Sequence, residues 1–123
     1  MVSNKDIDRI LAKLNDFNQS FFFTHEIMSN NSLPFLDTLV KVRDDFTFSF
    51  SIYREPTHSD RYLHFKANHP LCHKISVLDS LVHRALTVCD QDLIDRELQH
   101  IKKALVRNQY PTSLINSRIK YKR

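Results

Sequence analysis

The sequence predicts an α+β fold: an N-terminal helix with a small antiparallel three-stranded sheet, then a three-helix, helix-turn-helix-like bundle. Three observations carry this. Apolar residues recur at helical spacing over residues 3–18, alternate with polar ones over residues 35–53, and return to helical spacing after Pro70. Between the two regimes lies a polar, proline-punctuated stretch, YREPTHSDRYLHFKANHP, from Tyr53 to Pro70.

The elements follow in order. Ser3 is a candidate N-cap with Asp6 three residues on, and Ile7, Ile10, Leu11, Leu14 and Phe17 form one stripe, expected to be core. Phe21 to Met28 reads as a strand, ended by Ser29-Asn30-Asn31-Ser32. Phe35 to Val42 is the second strand and Phe46 to Tyr53 the third, joined as a hairpin by Arg43-Asp44-Asp45. In the third strand Phe46, Phe48, Phe50 and Ile52 alternate with Thr47, Ser49, Ser51 and Tyr53.

Pro70 suits the first turn of a helix that runs to about Cys89, with Leu71, Ile75, Leu78, Val82, Ala85 and Leu86 on its stripe. Asp90 or Asp92 restarts a helix to about Asn108, turning Ile94, Leu98, Ile101 and Leu105 inward. Asn108-Gln109-Tyr110-Pro111 breaks it. Thr112 or Ser113 then caps a last short helix carrying Leu114, Ile115 and Ile119, and the chain ends in the basic run RIKYKR.

Composition narrows the function. The 123 residues include nine phenylalanines and suffice for one domain or two small lobes. No apolar run nears the ~20 residues of a membrane span, and MVSNKDIDRI does not read as a signal peptide. Cys72 and Cys89 suit a reducing compartment and are expected to be buried hydrophobes, so an intracellular site, nuclear or cytoplasmic, is expected. The net charge of +4 is unevenly spread. Residues 1–60 hold six basic and nine acidic residues (−3), and residues 61–123 hold twelve and five (+7). A basic second half suits a polyanion, and equally a soluble surface with no partner.

The central stretch is dense in groups that touch phosphate, sugar or base: Tyr53, Arg54, Thr57, His58, Arg61, Tyr62, His64 and Lys66. Loops are polar in any case, so a solvated connector is the plainer reading. With no glycine in the chain, the bends here are expected to use Pro56, Pro70 and short polar side chains rather than positive φ. Asp60 is expected to pair with Arg54 or Arg61. His58, His64, His69, Cys72 and His73 crowd together but match no zinc-ligand spacing. Arg96, His100, Lys103 and Arg107 share a polar helix face, read as solvated. Asp37, Asp44 and Asp45 are scattered over a strand end and a turn, and there is no glycine-rich phosphate loop, so self-sufficient catalysis is not expected.

The motifs LPFLDTLVKV (33–42), SIYREPTHSDRYLHFKANHP (51–70) and VLDSLVHRALTVC (77–89) resemble reverse transcriptases of Penelope-like retroelements, over roughly residues 5 to 118. Leu33, Pro34, Phe35, Leu36 and Asp37 match the first motif. Tyr53, Arg54, Pro56, Thr57, His58, Asp60, Arg61, Tyr62, Leu63, His64, Phe65, His69 and Pro70 match the second. Glu55 departs from it, standing where the family pattern has lysine; the exchange disfavours an exposed phosphate contact by about 1 kcal/mol.

The resemblance implies a truncated fragment: residues 1–53 as the end of the palm, 54–70 as a connecting motif, 71–118 as a helical thumb of helix-turn-helix type, and 119–123 as a basic tail. It implies binding of an RNA or DNA primer–template, with the missing palm and endonuclease segments of the parent polyprotein as further partners. The Tyr-x-Asp-Asp motif and the GIY-YIG nuclease motif are absent from the sequence. No cofactor is therefore expected for this chain alone, and magnesium only for the full-length polymerase. A stand-alone helix-turn-helix protein binding DNA or a protein, and a non-functional retroelement relic, remain the alternatives.

Overall fold

A computed structural model describes residues 3–123. The chain forms an α+β fold: α1 (Asn4–Phe17), β1 (Ser32–Phe35), β2 (Thr38–Val42), β3 (Phe48–Ile52), α2 (Leu71–Val88), α3 (Gln91–Arg107) and α4 (Thr112–Lys122). It divides into two compact units, Met1–Asn30 and Asn31–Arg123.

In the first unit, Ser3 caps α1 as its sequence suggests, its side chain accepting from the Asp6 N–H. The apolar stripe is not core, however: α1 has no buried residue, and Ile10, Leu14 and Phe17 are exposed. The strand expected at Phe21 to Met28 does not form either. Its three phenylalanines run in sequence without alternation. The Asn15 side chain takes the place of a strand partner, accepting from the Phe23 N–H at 2.6 Å and donating to its carbonyl at 3.1 Å.

In the second unit the sheet has the order β1-β2-β3, both pairs antiparallel. Leu33 faces Val40 and Val40 faces Phe50, which fixes the register across all three strands. The expected second strand is in fact the end of one strand, a turn and another strand. Leu36, at φ 55, and Asp37 make a two-residue turn inside LPFLDTLV. An apolar residue in the left-handed region gives no turn signal, which is why periodicity runs across it. The third strand is also shorter than its pattern, because Phe46 turns at φ 63.

The burial of β3 inverts the usual rule. Ser49 is 7% exposed while Phe48 is 61% exposed, so the phenylalanine side of the strand meets solvent. The strand is fastened through its backbone instead. The Asp90 N–H donates to the Phe50 carbonyl at 3.0 Å, and the Asp90 carboxylate accepts from the Phe50 N–H at 3.2 Å. Arg43 adds an ion pair to the same carboxylate at 2.8 Å. A sheet edge that would otherwise be open is closed by the α2–α3 junction.

The core lies among the helices. Leu78, Val82 and Ala85 of α2 meet Ile94, Leu98, Ile101 and Leu105 of α3, with Ile115 of α4, Cys89 and Tyr110. Leu78, Val82, Ile101, Leu105 and Ile115 are fully buried, each contributing about 1.5–3 kcal/mol relative to exposure. Cys89 is buried as expected and Cys72 is exposed. Pro70 and Pro111 stand at the N-caps of α2 and α4 with no side-chain cap bond, so neither Thr112 nor Ser113 is the cap of α4. Asp90 holds the N-cap of α3, its carboxylate being spent on β3 and Arg43. α4 continues into the terminal basic run as far as Lys122. Among the described residues, no helix is long and apolar enough to cross a membrane.

Candidate nucleic-acid interface

The stretch from Tyr53 to Pro70 has no regular secondary structure. It is nonetheless held at several points by α3. Arg54 lays its guanidinium against Glu97, Nη1 donating to Oε2 at 3.0 Å and Nη2 to Oε1. The hydrogen bonding to Glu97 raises the Arg54 pKa against the opposing effect of burial. Asp60 takes φ 53, so this loop does use positive φ, on an aspartate that tolerates the left-handed region better than most residues. One oxygen of its carboxylate lies 3.0 Å from Nε2 of both His58 and His100, and 3.7 Å from Arg54 Nε. Burial alone would raise the pKa of Asp60. The His100 hydrogen bond, with the charges of His100, Arg54 and His58, more than offsets it and holds the carboxyl below its ordinary value.

Asn108, at the end of α3, is the second anchor. Its Nδ2 donates to the Asp60 carbonyl at 2.9 Å and to the Ala104 carbonyl at 2.7 Å, and its Oδ1 accepts from the Tyr62 N–H at 3.1 Å. Its own carbonyl accepts from the Phe65 N–H at 3.0 Å. The side-chain amide of Asn108 thus binds both neighbours of Arg61, its main-chain carbonyl binds the residue before Lys66, and it adjoins Arg107 in sequence. The chain past it turns by a Schellman motif, Tyr110 N–H to Leu105 carbonyl and Gln109 N–H to Val106 carbonyl, with Gln109 at φ 68 where glycine is usual.

The residues picked out in the sequence fall into three groups. Arg61 and Lys66 are exposed, with no ion pair among the described residues. His64 is exposed beside them, its Nδ1 accepting from the Lys66 N–H at 3.2 Å. Arg54 is committed to Glu97 and Asp60, with its side chain 20% exposed. Tyr53, Thr57, His58 and Tyr62 line a cleft of about 500 Å³. Tyr62 and Phe65 also pack on the core, Phe65 tilted against Tyr110 at 5.2 Å and covered by the Lys74 ammonium, so Phe65 offers no open stacking face.

The floor of the cleft is Ile52, Leu81 and Ile101. Arg84 lines it too, ion-paired with Asp37 at 2.9 Å while its buried Nε has no partner among the described residues. Glu97, His100, Asn108, Arg84 and Asp37 were not read as site residues from sequence. The only signal for the first two was their spacing of three on one helix, which any solvated helix can show.

Arg96, Lys103 and Arg107 are exposed on α3 and have no ion pair among the described residues. They recur, with His100 between them, at steps of four, three and four, which places them on one face. Because His100 and Asn108 hold Asp60, the loop bearing Arg61 lies against this end of α3. Of the other cations of the helical half, Arg118 and Lys122 pair with Asp79, Arg123 with Asp95 and Arg84 with Asp37, Lys74 covers Phe65, and Lys102 and Lys120 have no ion pair among the described residues. Among the described residues no group of three or more His, Cys, Asp or Glu side chains is arranged to hold a metal ion.

Residues 61–120 match the family model of the animal helix-turn-helix domain. The match begins at Arg61 and takes in α2, α3 and most of α4; within it α3, the turn at 108–111 and α4 supply a helix, a short turn and a helix. No curated protein and no solved structure matches the chain.

Proposed function

We propose that this chain binds a nucleic-acid duplex through its phosphates, using Arg61, Lys66 and the α3 face of Arg96, Lys103 and Arg107. The observation that carries the reading is the set of exposed cations with no ion pair among the described residues, on one face of α3 and on the loop that Asn108 anchors. The similarity of residues 61–120 to a helix-turn-helix domain supports nucleic acid as the partner. The contacts are electrostatic and set register and affinity rather than sequence preference.

The duplex is a primer–template, and the chain is the thumb-side portion of a retroelement reverse transcriptase that binds without catalysing. The motifs at 33–42, 51–70 and 77–89 support this finer reading. The parent polymerase would supply the palm carboxylates and magnesium. A second reading, docking of a protein partner, is favoured by the exposed apolar side of the sheet, where Phe35 is 66% and Phe48 61% exposed.

Fluorescence anisotropy with a labelled duplex at graded salt tests the proposal. Arg61→Ala, Lys66→Ala and Arg107→Ala should each lower the slope of log K against log salt by about 0.9 on B-DNA. An RNA–DNA hybrid should compete at least as well as DNA. Affinity that ignores salt and survives the triple variant would sink the reading.

A further inference from the structure

The cleft beside the cationic face has a chemistry that phosphate binding does not use. Two arginines, Arg54 and Arg84, stand among its lining residues against three carboxylates, Asp37, Glu55 and Glu97. With Arg54 engaged by Glu97, the lining carries one net negative charge, and a phosphate would be repelled from it. The floor is apolar, formed by Ile52, Leu81 and Ile101, and tyrosines stand in its wall. Arg84 is itself engaged by Asp37, and its Nε–H is buried out of reach of the cleft.

These features ask for a flat, uncharged group with apolar faces. Its edge must offer N–H donors to carboxylates. The volume, about 500 Å³, lies within the range of small-molecule sites.

We infer that the cleft takes one unpaired, amino-bearing nucleobase, namely adenine, cytosine or guanine, splayed from a strand whose phosphates lie on the cationic face. The inference rests on the proposed function for its source of bases. The exocyclic amine of these bases gives two N–H donors to Asp37 and Glu55, whereas uracil and thymine offer only the single ring N3–H. Arg61 follows the cleft-lining residues His58 and Ser59 in the chain and precedes Tyr62, so a strand crossing Arg61 passes the cleft. The negative rim keeps the backbone outside while the base enters.

The test compares a blunt duplex with the same duplex carrying one unpaired terminal nucleotide, each base in turn. Stacking of one base predicts that unpaired A, C or G tightens binding on the order of tenfold over the blunt end, and U or T less. Ser59→Trp, which fills the cleft from its exposed rim, should abolish the gain and keep blunt-end affinity.

Free adenosine, cytidine, guanosine and uridine, titrated into the isotopically labelled protein, separate the two ideas. Shifts at Tyr53, Ser59 and Tyr62 with the amino nucleosides support the cleft even if no duplex binds. Equal affinity for blunt and overhanging duplexes, with no nucleoside shifts, overturns the inference and leaves phosphate binding standing. So would an arginine-bearing peptide that moves these resonances while all four nucleosides fail to.

Discussion

Arg54 is where sequence and structure assign one side chain two different tasks, and its removal separates them. Read as a phosphate contact, its loss should weaken binding and leave folding intact. Read as the partner of Glu97, its loss should unfold the loop's anchorage. Arg54→Ala deletes two charge-assisted hydrogen bonds and strands Glu97, whose side chain is only 11% exposed. Breaking a buried pair costs about 3–5 kcal/mol. Because Arg54 retains some solvent access, the lower figure, about 3 kcal/mol, is expected. That is a large fraction of the roughly 5–15 kcal/mol that stabilises a typical domain.

Urea unfolding followed by circular dichroism measures this. Glu97→Ala should cost a similar amount, and the double variant Arg54→Met/Glu97→Leu should recover most of it, because an apolar pair leaves no charge uncompensated. A loss below about 1 kcal/mol, joined to a fall in duplex affinity and salt slope, would refute the reasoning. The pair would then be open in solution, with Arg54 free to meet phosphate.

Three further outcomes follow from single features of the loop and its anchor. Asp60→Asn keeps a residue that tolerates φ 53 and removes the charge facing Arg54, His58 and His100. The folded pKa of Asp60 lies below the ordinary aspartate value of 3.8, so the stability it contributes is present above that value and is lost as pH falls through the lower folded pKa. In urea titrations the variant should therefore be weaker than the parent at pH 7 and indistinguishable from it well below pH 3.8; a constant gap would contradict this. Gln109→Gly places the residue without a Cβ at φ 68 and should raise stability by about 0.5–1 kcal/mol, read from the urea midpoint at unchanged slope. Tyr110→Phe removes a buried hydroxyl that has no partner among the described residues and keeps the ring against Phe65, so thermal unfolding should show equal or higher Tm, against the usual sign for a core change.

The helical half was legible because its residues obey one period over long runs. Leu78, Val82 and Ala85, like Ile94, Leu98, Ile101 and Leu105, are buried where helical spacing puts them. The sheet half was read less well because its decisive features are local and break pattern. Leu36 turns the chain with an apolar side chain, and the Phe48 side of β3 is turned to solvent while Asp90 holds the strand by its backbone. Neither event leaves a mark in hydropathy. In the first unit a good amphipathic stripe on α1 meets no buried partner, since periodicity reports which residues share a face and not what covers it.

The same distinction governs the site. Summed over residues 61–123 the charge is +7, yet that figure counts cations that already have a carboxylate, such as Arg118 on Asp79 and Arg123 on Asp95. A paired guanidinium releases few counterions when a phosphate approaches, because its field is already balanced. What matters for a polyanion is the subset left uncommitted on one surface. Residue type in the sequence cannot distinguish Arg54 from Arg61; only the tertiary placement of Glu97 and Asn108 does. The loop is dense in phosphate-seeking residues, but Glu97 withdraws Arg54 from solvent while a neutral amide fixes the backbone on both sides of Arg61.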